Sequence, residues 1–100
     1  MNSRQKGKRG ELELARVLRE YGVDAHRGQQ FKGGQDSPDV TGLDGYHIEC
    51  KRVEKADVYG WMEQSERDAG DDIPLVIWRR NGKKWLVITS LDDFMRRIIK

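Results

Sequence analysis

Asp39, Glu49 and Lys51 are the residues of this chain whose types and spacing could do chemistry together. Hydrolysis of a phosphodiester needs a cation beside the scissile phosphate, a water made nucleophilic, and stabilisation of charge on the departing oxygen. Hard divalent cations need oxygen ligands. Asp39 opens one predicted strand and Glu49 lies on the next, across a turn at Asp44-Gly45, so strand pairing would bring two carboxylates to one edge of a sheet. Mg²⁺ usually takes one or two carboxylates with water and phosphate, which suits the pair, and Mn²⁺ is expected to substitute for it. Lys51 shares the strand face of Glu49, about 6 to 7 Å further along, close enough for both to meet one phosphate or one water. Its cation can orient that water and stabilise developing negative charge. Glu and Lys also alternate on ordinary solvent-facing strands, so this triplet alone decides nothing.

Glu11 adds weight. On a helical wheel it falls within about 40° of Ala15 and Leu18, inside the apolar face rather than opposite it. A first-turn Glu is favoured by the helix dipole, but the dipole does not select the inward face, so Glu11 reads as a site carboxylate. His47 shares the predicted face of Glu49 and Lys51 and reads either as a DNA contact or, as a lone histidine without a paired ligand, as a surface residue. Trp78 and Trp85 could stack on bases, although packing within a hairpin explains them more simply. Trp61, with Tyr59 and Met62, is a candidate dimer surface.

The elements that must position these groups follow from periodicity. From Lys8 to Tyr21 the residues Leu12, Leu14, Ala15, Val17, Leu18 and Tyr21 gather on one side of a helix, against Arg9, Glu13, Arg16 and Glu20. Gly22 ends it, and Val23 to Arg27 reads as a short strand before the glycine-rich stretch from Gly28 to Ser37. Pro38 to Thr41 and Tyr46 to Lys51 read as a β-hairpin, with Tyr46, Ile48 and Cys50 on one face and His47, Glu49 and Lys51 on the other. Asp57 to Ala69 has helical character, stopped at Gly70 and weakened by Gly60. Ile73 to Arg79 and Lys84 to Thr89 form a second hairpin around Asn81-Gly82. Ser90 and Asp93 resemble a cap opening a final helix through Phe94, Ile98 and Ile99. The order αβββαββα predicts an α/β fold, a mixed sheet flanked by helices.

A chain of 100 residues has room for one modest core, so residues 1–100 read as a single domain that dimerisation would help to stabilise. The net charge of +2 is mild, but its distribution is uneven. The basic segment 1–9 carries Arg4, Lys6, Lys8 and Arg9 with no acid, and reads either as a solvated end or as a phosphate-contacting arm. No apolar run approaches a membrane span and the N-terminus lacks a signal-peptide core, so a cytoplasmic location is expected. The single Cys50 can make no internal disulfide, and beside Ile48 it reads as a small buried side chain.

The whole pattern resembles the Holliday junction resolvase branch, archaeal and phage type, of the PD-(D/E)xK nucleases. Lys8 to Leu14 resembles that family's opening helix with its acid, Ser37-Pro38-Asp39-Val40 its PD motif, and Ile48-Glu49-Cys50-Lys51 its ExK motif. The resemblance implies a restriction-endonuclease-like fold and a homodimer, active in DNA recombination and repair, that cuts four-way or other branched DNA in a bacterial, archaeal or phage-infected cell. It assigns metal binding to Glu11, Asp39, Glu49 and the backbone carbonyl of Cys50, and phosphate or water activation to Lys51. Related nucleases often carry a glutamine on the helix after the ExK strand. Gln64 is the candidate here, with an ordinary exposed glutamine as the alternative. Arg27 and Lys32, in the loop before the motif aspartate, are further DNA-contact candidates. The serine that archaeal resolvases carry in that loop has no safe equivalent in Ser37. Two other functions fit the same chain: a small virus-type replication-repair nuclease acting on flaps, and a catalytically inactive DNA-binding module. The intact, mutually repelling acids argue against the second.

Overall fold

A computed structural model of the chain describes residues 3–28 and 37–99. It orders the elements as α1 (Ser3–Glu20), β1 (His26–Arg27), β2 (Val40–Thr41), β3 (Tyr46–Lys51), α2 (Val58–Ala69), β4 (Ile73–Trp78), β5 (Leu86–Ile88) and α3 (Leu91–Ile98). The five strands make one sheet in the order β1-β2-β3-β4-β5. All neighbours are antiparallel except β3 and β4, which run parallel with Ile48 opposite Leu75 and Glu49 opposite Val76. The expected mixed α/β sheet, with its helix and strand order, is therefore borne out.

Parallel neighbours require a crossover, and α2 supplies it. Its N-cap Asp57 accepts from the Gly60 backbone N–H, and the helix stops at Gly70 with φ of 61°. Helix α1 packs against β1, β2 and β3, and α2 against β3 and β4. On the α1 side lies the main core of Leu14, Ala15, Ala25, Val40, Ile48, Leu75 and Ile77. Strand alternation turns His47, Glu49, Val76 and Trp78 to the other side, where Trp61 of α2 meets the Trp78 ring edge-on at 5.4 Å between centroids. Strand β3 is thus covered on both faces, as the middle strands of crossover folds are.

Two boundaries and one surface differ from the sequence expectation. Helix α1 begins at Ser3 rather than Lys8, because a run of bases and glycines shows no apolar period yet continues the helical backbone. Strand β1 is only His26–Arg27, since Val23 turns into the core beside Ala25. Trp61 and Met62 are not a free surface: Met62 is buried and Trp61 packs on Trp78, leaving only Tyr59 of that trio exposed. Trp78 does pack, its indole N–H donating to the Val53 carbonyl at 2.9 Å, and Trp85 lies against the core.

Candidate active site

Close backbone approach builds the site. Gly10 sits on α1 where an added Cβ would stand 2.6 Å from Cβ of Arg52, so glycine lets α1 lie directly against the end of β3. That places Glu11, the next residue, at the sheet. Gly28 has the same role on the other side: a Cβ there would come within 2.0 Å of the Pro38 carbonyl oxygen, and its N–H donates to the Asp39 carbonyl at 2.7 Å. Asp39 is fastened in turn to β3. Its N–H donates to the Ile48 carbonyl at 2.8 Å, and its Oδ2 accepts from the Cys50 N–H at 2.8 Å.

Asp39 thereby becomes the hinge of an acidic cluster. Burial and then the neighbouring Asp39 carboxyl push Glu49 up to about 8, with Asp68 of α2 adding to the effect and Lys51 opposing it. Burial and then Asp39 also raise Glu11, opposed by a hydrogen bond and ion pair with Arg27, whose Nε lies 2.7 Å from Glu11 Oε1. The structure therefore couples Glu11 to Asp39 and Asp39 to Glu49. Lys51 follows on the Glu49 face, with Nζ 6.0 Å from the centre of the Trp61 ring.

His47 is the residue that sequence reasoning placed wrongly. It is 3% exposed rather than a surface group, and its Nε2 lies 2.9 Å from Glu49 Oε1. The alternation that put it beside Glu49 was right, but a strand sequence does not reveal that α2 covers that face. The parallel crossover, which predicts strands buried on both faces, is the signal that points to it. Cys50 is half-buried against the core, and burial, followed by the carboxylates of Asp39, Glu11 and Glu13, pushes its thiol up, so it stays protonated and unreactive.

The other candidates lie further out. Gln64 is exposed on α2, and among the described residues no hydrogen bond joins it to the acids. Lys8 and Arg9 are exposed on the first turns of α1, and Arg27 leans on Glu11 with its side chain 39% exposed. The side chains of Arg4 and Lys6, and all of Lys32, lie outside the described residues. Periodicity sets Glu13 on the polar side of α1. It pairs with Arg79 at 2.5 Å and Arg52 at 3.3 Å, tying α1 to the exits of β3 and β4.

The donor chemistry suits a hard divalent cation. Two carboxylates are pressed together in a poorly hydrated place where one of them is forced toward the neutral form, and a bound cation would offset that repulsion. Among the described residues no three His, Cys, Asp or Glu side chains converge on one point. The protein would then furnish few ligands, leaving the rest to backbone, water and phosphate, the habit of Mg²⁺.

Comparison with known proteins agrees with the chemistry. Residues 2–100 match the family model described as phage putative PDDEXK endonuclease. No match was found among curated proteins or among solved structures.

Proposed function

Since the chain belongs to that phage endonuclease family, with DNA as the substrate such a family implies, we propose that it is a Mg²⁺-dependent, structure-specific endonuclease. Its best-fitting substrate is a four-way DNA junction, which it cuts as a homodimer. One observation carries the metal dependence: burial and the adjoining Asp39 carboxyl together hold Glu49 above the ordinary carboxylate range, while Lys51 stands on the same strand face. The junction reading is supported by the likeness of the Lys8–Leu14, Ser37–Val40 and Ile48–Lys51 segments to junction resolvases. It is also supported by the single Asp39-Glu49-Lys51 set per chain, since two strands must be nicked and two copies supply two sites.

Asp39 and Glu49 would hold the cation with the Cys50 carbonyl, and Glu11, paired with Arg27 in the metal-free chain, would join them as the third acid on release from that pair. When bound, Mg²⁺ or Mn²⁺ supplies Lewis-acid polarisation of the phosphate and a more acidic water. The chain's own residues do the rest. The Cys50 N–H fixes Asp39 and His47 fixes Glu49, so the two carboxylates meet the substrate already oriented. Lys51 orients the attacking water and balances charge as it develops on the phosphate.

The test is cleavage of duplex, single strand, flap, fork and four-way junction with Mg²⁺, Mn²⁺ or chelator. Metal-dependent paired cuts at equivalent positions on opposing junction strands are expected. Glu49→Gln should abolish cleavage and retain junction binding. Wild-type rates from Glu49→Gln would reject the site, whereas a tenfold preference for flaps, about 1.4 kcal/mol in transition-state free energy, would reject the junction reading and leave the nuclease.

A further inference from the structure

Helix α3 is turned inside out. Leu91, Phe94, Met95 and Ile99 cluster within an arc of about 140° on the helical wheel. That apolar face points to solvent: Leu91 is 72% exposed, Phe94 52% and Ile99 66%. The residues that face the body of the protein are the polar ones. Asp93 is 6% exposed and bonded to Ser90 and Arg96, while the Arg97 guanidinium lies 4.6 Å from the centre of the Tyr46 ring. Amphipathic helices normally bury the apolar stripe, so a helix held by its charged face with the stripe left open is shaped for a second surface.

We propose that α3 is the dimer interface, its apolar face covered by α3 of a second copy lying antiparallel across a two-fold axis. The inference rests on the homodimeric reading above and supplies the contact that makes it. The helix is complementary to itself. Acids stand in its first turn, Asp92 and Asp93, and bases in its last, Arg96 and Arg97. Asp92 and Arg96 lie one turn apart along the same border of the apolar stripe, and both are exposed. Antiparallel pairing sets Asp92 of each copy beside Arg96 of the other, opposes the two helix dipoles, and closes on itself as an isologous contact must. A stripe bordered by both signs of charge is poorly suited to an anionic lipid surface, which selects bases.

The location leaves room for DNA. Arg97 touches Tyr46 at the start of β3, whereas Lys51 ends that strand roughly 16 Å away. Pairing through α3 therefore leaves both catalytic edges open to DNA.

The experiment is sedimentation of the full chain without DNA, for the wild type, Phe94→Asp, Asp92→Arg and Arg96→Asp, and for an equimolar mixture of the last two. The wild type should be a dimer at micromolar concentration. Phe94→Asp should weaken it by roughly a hundredfold, in the range of a hot-spot residue, and each charge reversal by about tenfold. Phe94 is exposed in the monomer, so an unchanged circular dichroism spectrum is expected for that variant. The mixture should restore dimerisation, because reversed charges meet as opposite pairs only between the two variants. Several results would overturn the proposal: a wild type still monomeric at about 100 μM, a dimer indifferent to Phe94→Asp, a mixture no tighter than its components, or a monomer that floats with anionic vesicles. None of these touches metal-dependent cleavage, while loss of that activity with a sound dimer would reject the nuclease reading alone.

Discussion

Replacing Glu49 by Gln should make the metal-free protein more stable, and by an amount that depends on pH in one direction only. Glu49 is nearly buried, and its folded-state value of about 8 stands well above the ordinary 4.5 of a free carboxyl. Below about 4.5 the group is neutral in both folded and unfolded chains and carries no penalty. As pH rises toward 8 the unfolded chain ionises first, so folding stability falls, and the loss is complete above 8. The gap between 4.5 and about 8, at about 1.36 kcal/mol per unit, sets a ceiling of about 5 kcal/mol. Relaxation of the site and water reaching the carboxyl reduce the expected gain to about 1–3 kcal/mol. Gln removes the charge and keeps a side-chain oxygen for His47. In urea unfolding with chelator, the variant should exceed the wild type only slightly at pH 5, just above 4.5, and by that amount at pH 9. Mg²⁺ added at pH 9 should raise the wild type toward the variant while leaving the variant unmoved. A difference that stays constant from pH 5 to pH 9 would refute the reasoning, since it would mean that Glu49 folds without electrostatic strain.

Gly10→Ala should destabilise by about 1–2 kcal/mol in denaturant unfolding, despite a helix-propensity gain near 1 kcal/mol, because the new methyl meets Cβ of Arg52 at 2.6 Å. Gly28→Ala should be worse, at about 2–4 kcal/mol with cleavage lost, because the obstacle at 2.0 Å is the Pro38 backbone that carries Asp39. Neutralising Arg4, Lys6 and Lys8 should weaken DNA binding and flatten the plot of log affinity against log salt. An unchanged slope would show that the start of α1 contacts no phosphate.

How far the molecule could be read from its sequence depended on the kind of information each element carries. Most of the inward face of α1 and the strand alternation of β3 were legible because side-chain periodicity is local, and it placed Glu11, Glu49 and Lys51 on the faces the structure gives them, whereas Leu12 and Tyr21, expected on that face, are exposed. The burial of His47 was not, because it depends on a helix that begins after the strand has ended. Glu13 was hidden for the same reason: its partners Arg52 and Arg79 are distant in sequence, and on a wheel it is simply a charge on the polar side. In α3 the period was right and the usual inference from it failed, since amphipathicity fixes which residues share a face but not which face meets the protein.

The parallel pairing of β3 with β4 also has a consequence for how the enzyme comes into being. All four charged residues of the site lie between Glu11 and Lys51, yet the strand carrying two of them finds its second neighbour only in Ile73–Trp78, and α1 is pinned by Arg79 beyond it. A growing chain that has emerged only as far as Gly70 holds every reactive group and half a scaffold. Contacts of such long sequence separation close late in folding, after the loop entropy between them has been overcome. The arrangement of these groups is therefore complete only once β4 has paired with β3 and Arg79 has met Glu13.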